Sequence, residues 1–210
     1  MSKRKILFIV IPLILFNMLA ILIRAEKTTN FEGWAYGRIT ENMFPGLTMF
    51  MKGISRLGNT TSVIVLCLLM FMIPKLRKSV AMPVALTVIS SAIMNVALKH
   101  LFARNRPDIL RLISETGYSF PSGHAMNNGA LYIMLAMLIL KHGHHKTQRI
   151  ILSSLCIIIA ILIGYSRVYL GVHYAGDVIG GWLFGFAISL LIYFLWEGSG
   201  GSKDKSAEKK

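Results

Sequence analysis

Acidic residues are scarce in this chain: nine Asp and Glu stand against 23 Lys and Arg, and charged residues of both signs make up only 15% of 210. Soluble domains carry about a quarter charged residues. A hydrophobic content of 54%, gathered into runs approaching the length of about 20 residues that a helix needs to cross a bilayer, excludes that class and indicates an integral membrane protein. Cysteine is nearly absent. Cys67 and Cys156 both fall inside apolar windows, which excludes a framework of loop disulfides and leaves two buried small hydrophobes. No small-residue cleavage site follows the apolar run Ile6–Ile23; Arg24 and Glu26 do, so the run reads as a retained first helix rather than a signal peptide. The net charge of +14 is scattered through short loops instead of lining one soluble face, which points to topology and anionic lipid and away from nucleic acid. No repeat of fixed period is present.

Six windows read as spanning helices, at 6–23, 59–74, 80–98, 124–140, 150–166 and 178–196, on the criteria of length and apolar content. The second is strongly apolar only from Ser62 to Ile73. In the third, Ser90, Ser91 and Asn95 predict a helix that faces protein rather than lipid. The expected fold is all-α: a polytopic bundle of six transmembrane helices forming one domain over 1–197, followed by a flexible polar tail at 198–210 with no function assigned. Six spans put both termini on one side with the 75–79 and 141–149 loops, and that side holds thirteen of the 23 lysines and arginines against three acids. The positive-inside rule places it in the cytoplasm. The loop at 26–59 then lies outside. There Leu47, Phe50, Met51, Ile54 and Leu57 keep helical spacing, which predicts a short amphipathic helix in the interface, with Trp34 and Tyr36 as interfacial anchors.

Within this apolar sequence, polar residues cluster in three places. "KHLFARNRP" runs from Lys99 to Pro107 at the end of the third window. A proline disfavours helix in the residue before it, so the helix is expected to end near Arg106. Seven residues turn about 700°, which would put Lys99 and Arg106 on one face and aim Arg104, about 140° from Lys99, at solvent or headgroups. "FPSGH", Phe120 to His124, opens the fourth window; Pro121, Ser122 and Gly123 make a helix start whose free N–H groups can cradle an anion. "GYSRVYLGVHYAGDVIGG", Gly164 to Gly181, contains Arg167, His173 and Asp177. If helical, the four-residue spacing turns a side chain by only about 40°, so that the carboxylate can fix the imidazole tautomer and leave the other nitrogen as nucleophile, base or ligand. A plain capping Asp beside a histidine would give the same spacing.

Two spans separate the first two clusters from the third, and an even number of crossings returns the chain to the same face. Lys99, Arg106, Ser122, His124, Arg167, His173 and Asp177 can therefore meet at one membrane surface. Three cations, a hydroxyl, backbone donors and two imidazoles describe a phosphate site, in which guanidinium groups grip oxygens in bidentate fashion. A carrier that binds a phosphorylated headgroup without cleaving it, or a metal site on His124, His173 and Asp177, would use some of the same residues.

Together, Lys99-x6-Arg106-Pro107, Pro121-Ser122-Gly123-His124 and Ser166-Arg167-x5-His173-x3-Asp177 resemble the three-part signature of the type-2 phosphatidic acid phosphatase family, whose bacterial members include membrane lipid phosphatases. The resemblance implies hydrolysis of a terminal phosphate from phosphatidylglycerol phosphate or undecaprenyl pyrophosphate, with phosphatidic acid as a third substrate, at the extracytoplasmic face. It implies that His173 attacks phosphorus, that Asp177 holds its ring, and that His124 serves as acid and then base. Lys99, Arg106, Arg167, Ser122 and Gly123 would bind the transferring phosphoryl group. Neither metal nor other cofactor is implied, and the partners are the lipid substrate and membrane lipid, with no obligate protein partner. Glu115 and Tyr118 precede the anion loop without a defined role. His142, His144 and His145 read as a solvated turn, and glycines 171, 176, 180, 181 and 185 as sites of close helix packing within the monomer.

Overall fold

The computed structural model describes residues 1–143 and 145–199. His144 and residues 200–210, most of the polar tail expected at 198–210, lie outside the described residues. Regular structure among the described residues is entirely helical: α1 (Lys3–Arg24), α2 (Thr29–Thr40), α3 (Pro45–Leu57), α4 (Thr60–Met72), α5 (Met82–Phe102), α6 (Gly123–His142), α7 (Lys146–Tyr169) and α8 (Ala175–Gly198), with a 3₁₀ turn (Pro74–Leu76) and a π turn (Arg77–Ala81) leading into α5.

Five helical segments are long and apolar enough to cross a membrane, and a sixth span is obtained if α3 and α4, bent by 52° at their junction, count as one. The bend explains the weak second window. At 1.5 Å per residue α4 rises only about 20 Å, against about 30 Å of hydrocarbon. The bundle's exterior is apolar: Leu7, Ile14, Met18 and Ile21 of α1, and Ile150, Ile151, Ile157 and Ile158 of α7, are all exposed. Such a surface suits lipid and no aqueous medium. The 26–59 loop holds two short helices, α2 and α3, and α3 covers the residues whose spacing is amphipathic. On α3, Met51 and Ser55 turn inward while Met49, Phe50 and Leu57 stay exposed.

The core is centred on α6, which packs against α5, α7 and α8. Leu131 and Met134 of α6 meet Val63 and Met70 of α4 and Val84 of α5. Contact between α6 and α8 is close because α8 presents glycine. A Cβ at Gly181 would lie 2.8 Å from the Ser122 carbonyl oxygen, and one at Gly185 would collide with that of Met126. Small residues allow such backbone approach between apolar helices that gain nothing from leaving lipid. Gly181 and Gly185 therefore serve helix packing inside the monomer. Hydrogen bonds tie the same helices: Ser189 Oγ donates to the Ala130 carbonyl (2.8 Å) and Trp182 Nε1 to that of Ala160 (3.2 Å). As the polar pattern of the third window predicts, Ser91 and Asn95 are buried and bonded, to Asn127 Oδ1 (2.7 Å) and the Pro121 carbonyl (3.1 Å).

One boundary differs from expectation in a way that matters. α5 does not reach Arg106. It ends at Phe102, where Ala103 adopts a left-handed φ of 44° and donates its N–H to the Lys99 carbonyl (2.9 Å). Lys99 and Arg106 thus share no helical face. Nor does Arg104 point to solvent or headgroups: the turn at Ala103 swings it inward onto two buried carboxylates, Glu32 and Asp177. A left-handed alanine costs about 1–2 kcal/mol, which these charge-assisted bonds offset.

Candidate active site

The C-terminal ends of α5 and α7 and the N-terminal ends of α6 and α8 meet at one end of the bundle, and the irregular segment 103–122 crosses it. That segment is tied down at Ser119, whose N–H donates to the Arg104 carbonyl (2.8 Å), and at Leu112, whose N–H donates to that of Leu170 (3.0 Å). Phe120 anchors it in the core by stacking on Phe16 (5.4 Å between centroids) and meeting Phe102 edge-on (5.0 Å). All the signature residues lie at this end.

His173 sits in the short connection between α7 and α8, beyond a turn at Gly171 whose φ of 72° suits glycine. It is not helical; α8 begins two residues later, and Asp177 occupies its third position. The pair meets nonetheless, with Nδ1 3.4 Å from Asp177 Oδ2. Capping and pairing coincide, because the same Oδ2 accepts the Tyr174 N–H (2.9 Å) and a close hydrogen bond from Ser119 Oγ. Oδ1 accepts from Arg104 Nη1 at 2.6 Å. The other ring nitrogen, Nε2, lies 3.2 Å from Arg106 Nη1. A guanidinium can only donate and a carboxylate only accept, so the proton belongs on Nδ1 and the lone pair on Nε2. Burial is the main cause holding the His173 pKa down to about 4; its hydrogen bond to Asp177 works in the opposite sense, and Arg167 and Arg106 add to the lowering. The ring is neutral at ordinary pH, in the state a nucleophile or base requires.

His124, in the first turn of α6, places Nε2 2.8 Å from Asn59 Oδ1. Asn59 lies at the bend between α3 and α4, so the break in the sixth span supplies a partner for this imidazole. Ser122 caps α6, its hydroxyl accepting the Ala125 N–H (3.5 Å), while its own N–H donates to the Asp177 carbonyl (3.0 Å). Gly123 follows, and an N–H in the first helical turn has no acceptor within the helix. His124 lies within electrostatic reach of Arg167, Glu115, His173 and Lys99.

The cations converge as the sequence predicts, by a different route. Arg106, nearly buried, spends its fork on the carbonyls of Gly117 (2.9 Å), Thr116 (2.7 Å) and Val172 (2.9 Å) besides His173. Lys99 Nζ donates to the Tyr118 carbonyl (2.6 Å). Arg167, in the last turn of α7 and 1% exposed, donates to Ser55 Oγ and Glu115 Oε1, both in close contact; its Nε is buried without a partner. Glu115 Oε2 also comes to 4.0 Å from Arg106 Nη2. A carboxylate therefore stands between two of the cations expected to hold phosphate, in a place that favours an anion. Glu115 and Arg167 line a cavity of about 210 Å³ with Lys52, Ser55, Arg56 and Asn59.

Sequence reasoning missed Ser119, which directly precedes the FPSGH motif, and Glu32, Ser55 and Asn59, single polar residues near helix ends with no motif around them. It named Arg104 with the wrong direction and left Glu115 without a place.

Residues 80–199 match the family described as PAP2 superfamily. The chain is 36% identical over 162 residues to phosphatidylglycerophosphatase B of Bacillus subtilis (strain 168), covering 73% of this chain and 75% of that protein. It is 31% identical over 192 residues to the undecaprenyl-diphosphatase of Sulfolobus acidocaldarius, covering 86% and 87%. Among solved structures, it superposes with a TM-score of 0.83 and 29% identity on the transmembrane PAP2-type phosphatidylglycerolphosphate phosphatase from Bacillus subtilis, covering 91% of this chain and 96% of that one.

Proposed function

Because the chain belongs to the PAP2 superfamily and is a membrane lipid phosphatase of that kind, we propose that it removes the terminal phosphate of phosphatidylglycerol phosphate through a phosphohistidine, at the extracytoplasmic face and without a metal. Undecaprenyl pyrophosphate is the second substrate and phosphatidic acid the third. The first choice rests on the names of the Bacillus relative and the superposed structure; the second rests on the Sulfolobus relative.

The observation that carries the mechanism is the His173 ring, with its Nδ1 toward Asp177 and its Nε2 toward Arg106. In the first step the Nε2 lone pair attacks phosphorus, the bond from phosphorus to the lipid oxygen breaks, and His124 gives that oxygen a proton. The ring then carries positive charge, which Asp177 stabilises. In the second step His124 takes a proton from water, whose oxygen attacks phosphorus, and the P–N bond breaks to release phosphate and neutral His173. Lys99, Arg106, Arg167 and the Gly123 N–H stabilise the equatorial oxygens; the unpartnered Arg167 Nε is one donor available to them. The entering phosphate competes with Glu115 for the guanidinium groups. Since cations of the chain neutralise the phosphoryl charge, and Arg104 and Arg106 occupy atoms of Asp177 and His173 that a metal would need, no ion enters the scheme. The thirteen lysines and arginines that the sequence assigns to the side of the termini, four of them in the polar tail, support an extracytoplasmic site.

Turnover by purified protein in detergent on the three lipids, with EDTA present, tests the proposal. Phosphate release is expected from all three, fastest from phosphatidylglycerol phosphate, and is lost in His173→Ala. Complete inhibition by the chelator contradicts the metal-free scheme, and binding without release would mark a carrier.

A further inference from the structure

Two buried charges have no part in gripping phosphate. Arg104 donates to both oxygens of Glu32, Nη1 to Oε1 (3.0 Å) and Nη2 to Oε2 (2.7 Å), while Nη1 also reaches Asp177 Oδ1 (2.6 Å). The side chains of Glu32, Arg104 and Asp177 are 4%, 18% and 0% exposed. The guanidinium lies over the Tyr174 ring, 4.1 Å from its centroid. Three segments meet here: α2, the 103–122 crossing and the start of α8. The fold makes room for the carboxylate, since a Cβ at Gly176 would stand 2.5 Å from Glu32 Oε1.

We propose that Glu32 and Arg104 form a positioning pair for the nucleophile, with Arg104 fixing Asp177 and Glu32 cancelling the charge of Arg104 so that Asp177 acts on His173 as a full anion. This rests on His173 being the nucleophile. Glu32, Arg104 and Asp177 together carry one net negative charge, the amount needed to balance the ring once phosphorus is bound to it. Take away the Glu32 charge and the remaining pair is neutral, leaving the phosphorylated ring opposed by cations. Take away the Arg104 charge and two buried carboxylates lie close together, with Asp177 Oδ1 lacking its donor. The two losses therefore perturb His173 in opposite senses: without Glu32 its protonated form is disfavoured, without Arg104 it is favoured. The other groups that act on the ring are Asp177 of α8, Arg106 and Ser119 of the crossing segment, Arg167 of α7 and His124 of α6, with Lys99 of α5 acting on Asp177. None changes in these variants. The extramembrane helix α2 thereby becomes part of the catalytic apparatus without touching substrate.

The test uses full-length protein in detergent and the variants Glu32→Gln, Arg104→Gln and the double replacement. kcat of Glu32→Gln is expected to fall about tenfold or more with KM within about twofold, as for a group that acts on the transition state alone. The acid limb of kcat/KM should move down by about one pH unit in Glu32→Gln and up in Arg104→Gln. The double variant should return toward the parent limb and be faster than the slower single variant. Gly176→Ala, which displaces the Glu32 carboxylate while keeping every charge, should lower kcat without the downward shift and serves if Arg104→Gln fails to fold. Limbs that do not move, shifts of the same sign, or single losses that multiply in the double variant would overturn the proposal while His173→Ala remains inactive. An active His173→Ala would instead overturn the reading on which it rests.

Discussion

Replacing Asp177 by Asn keeps size and shape and removes one charge. The carboxylate lies 3.4 Å from His173 Nδ1. At an effective dielectric constant of 20, unit charges at that distance attract by about 5 kcal/mol. An amide oxygen retains part of this, so stabilisation of the cationic ring should drop by about 4 kcal/mol, or roughly 10³-fold in kcat. The amide must also put an NH₂ either against Arg104 or against the Tyr174 N–H and Ser119, which occupy the two oxygens. Losing the Arg104 bond is the cheaper choice, at about 2–3 kcal/mol of stability. KM should change little, because Asp177 holds the ring and not the phosphate. The assay is phosphate release from a short-chain lipid phosphate at neutral pH, with kcat and KM resolved, and a thermal melt in the same detergent. A kcat within tenfold of the parent, or a loss confined to KM, would refute the reasoning.

Four further outcomes follow from the surroundings of His173, His124 and the α6–α8 contact. With the His173 pKa held down to about 4, about 97% of the ring is neutral at pH 5.5, against about 9% for an ordinary histidine near 6.5; the acid limb of kcat/KM, corrected for the substrate's own ionisation, should lie near pH 4, and a midpoint above 6 contradicts this. By linkage, His173 favours the fold fully above about pH 6.5 and progressively less as pH falls toward 4, because the unfolded chain binds the extra proton in that window; the melting temperature should decline across it. Asn59→Ala removes the partner of His124 Nε2 and should lower kcat about tenfold with an unchanged melt, whereas an unaffected kcat would detach Asn59 from the reaction. Gly185→Ala drives a methyl group into the Met126 carbonyl and should destabilise by about 1–3 kcal/mol, while Gly33→Ala, on α2 with open space around it, should stabilise by about 0.4–1 kcal/mol in the melt.

The parts of this molecule legible in sequence are those where a polar residue breaks an apolar run. Lys99, His124, Arg167 and Asp177 each sit in or at the edge of a spanning helix, where burial of charge is costly enough to demand a reason, and counting crossings brings them to one face. The second span is legible only as a weak window, because the break at Gly58 and Asn59, which cap α3 and α4, divides it between two helices. The crossing segment 103–122 has no periodicity, so its partners were hidden: Pro107 suggested a helix running to Arg106, but the buried carboxylates of Glu32 and Asp177 draw Arg104 inward and end α5 four residues earlier. Glu32 itself is an isolated acid in the first turn of the short helix α2, where only Ala35 is buried beside it, too little to mark an inward face. His173 and Asp177 need no continuous helix to pair, since the cap at the start of α8 brings the same atoms together.

The central claim is a covalent bond between phosphorus and Nε2 of His173. Rapid quenching of the purified protein in alkali during turnover of a lipid labelled in its terminal phosphate, followed by peptide mapping, examines it directly. The account predicts label on the peptide containing His173, stable to base and lost in acid, and absent in His173→Ala. Unlabelled protein during full turnover, or label carried by His124, would contradict it.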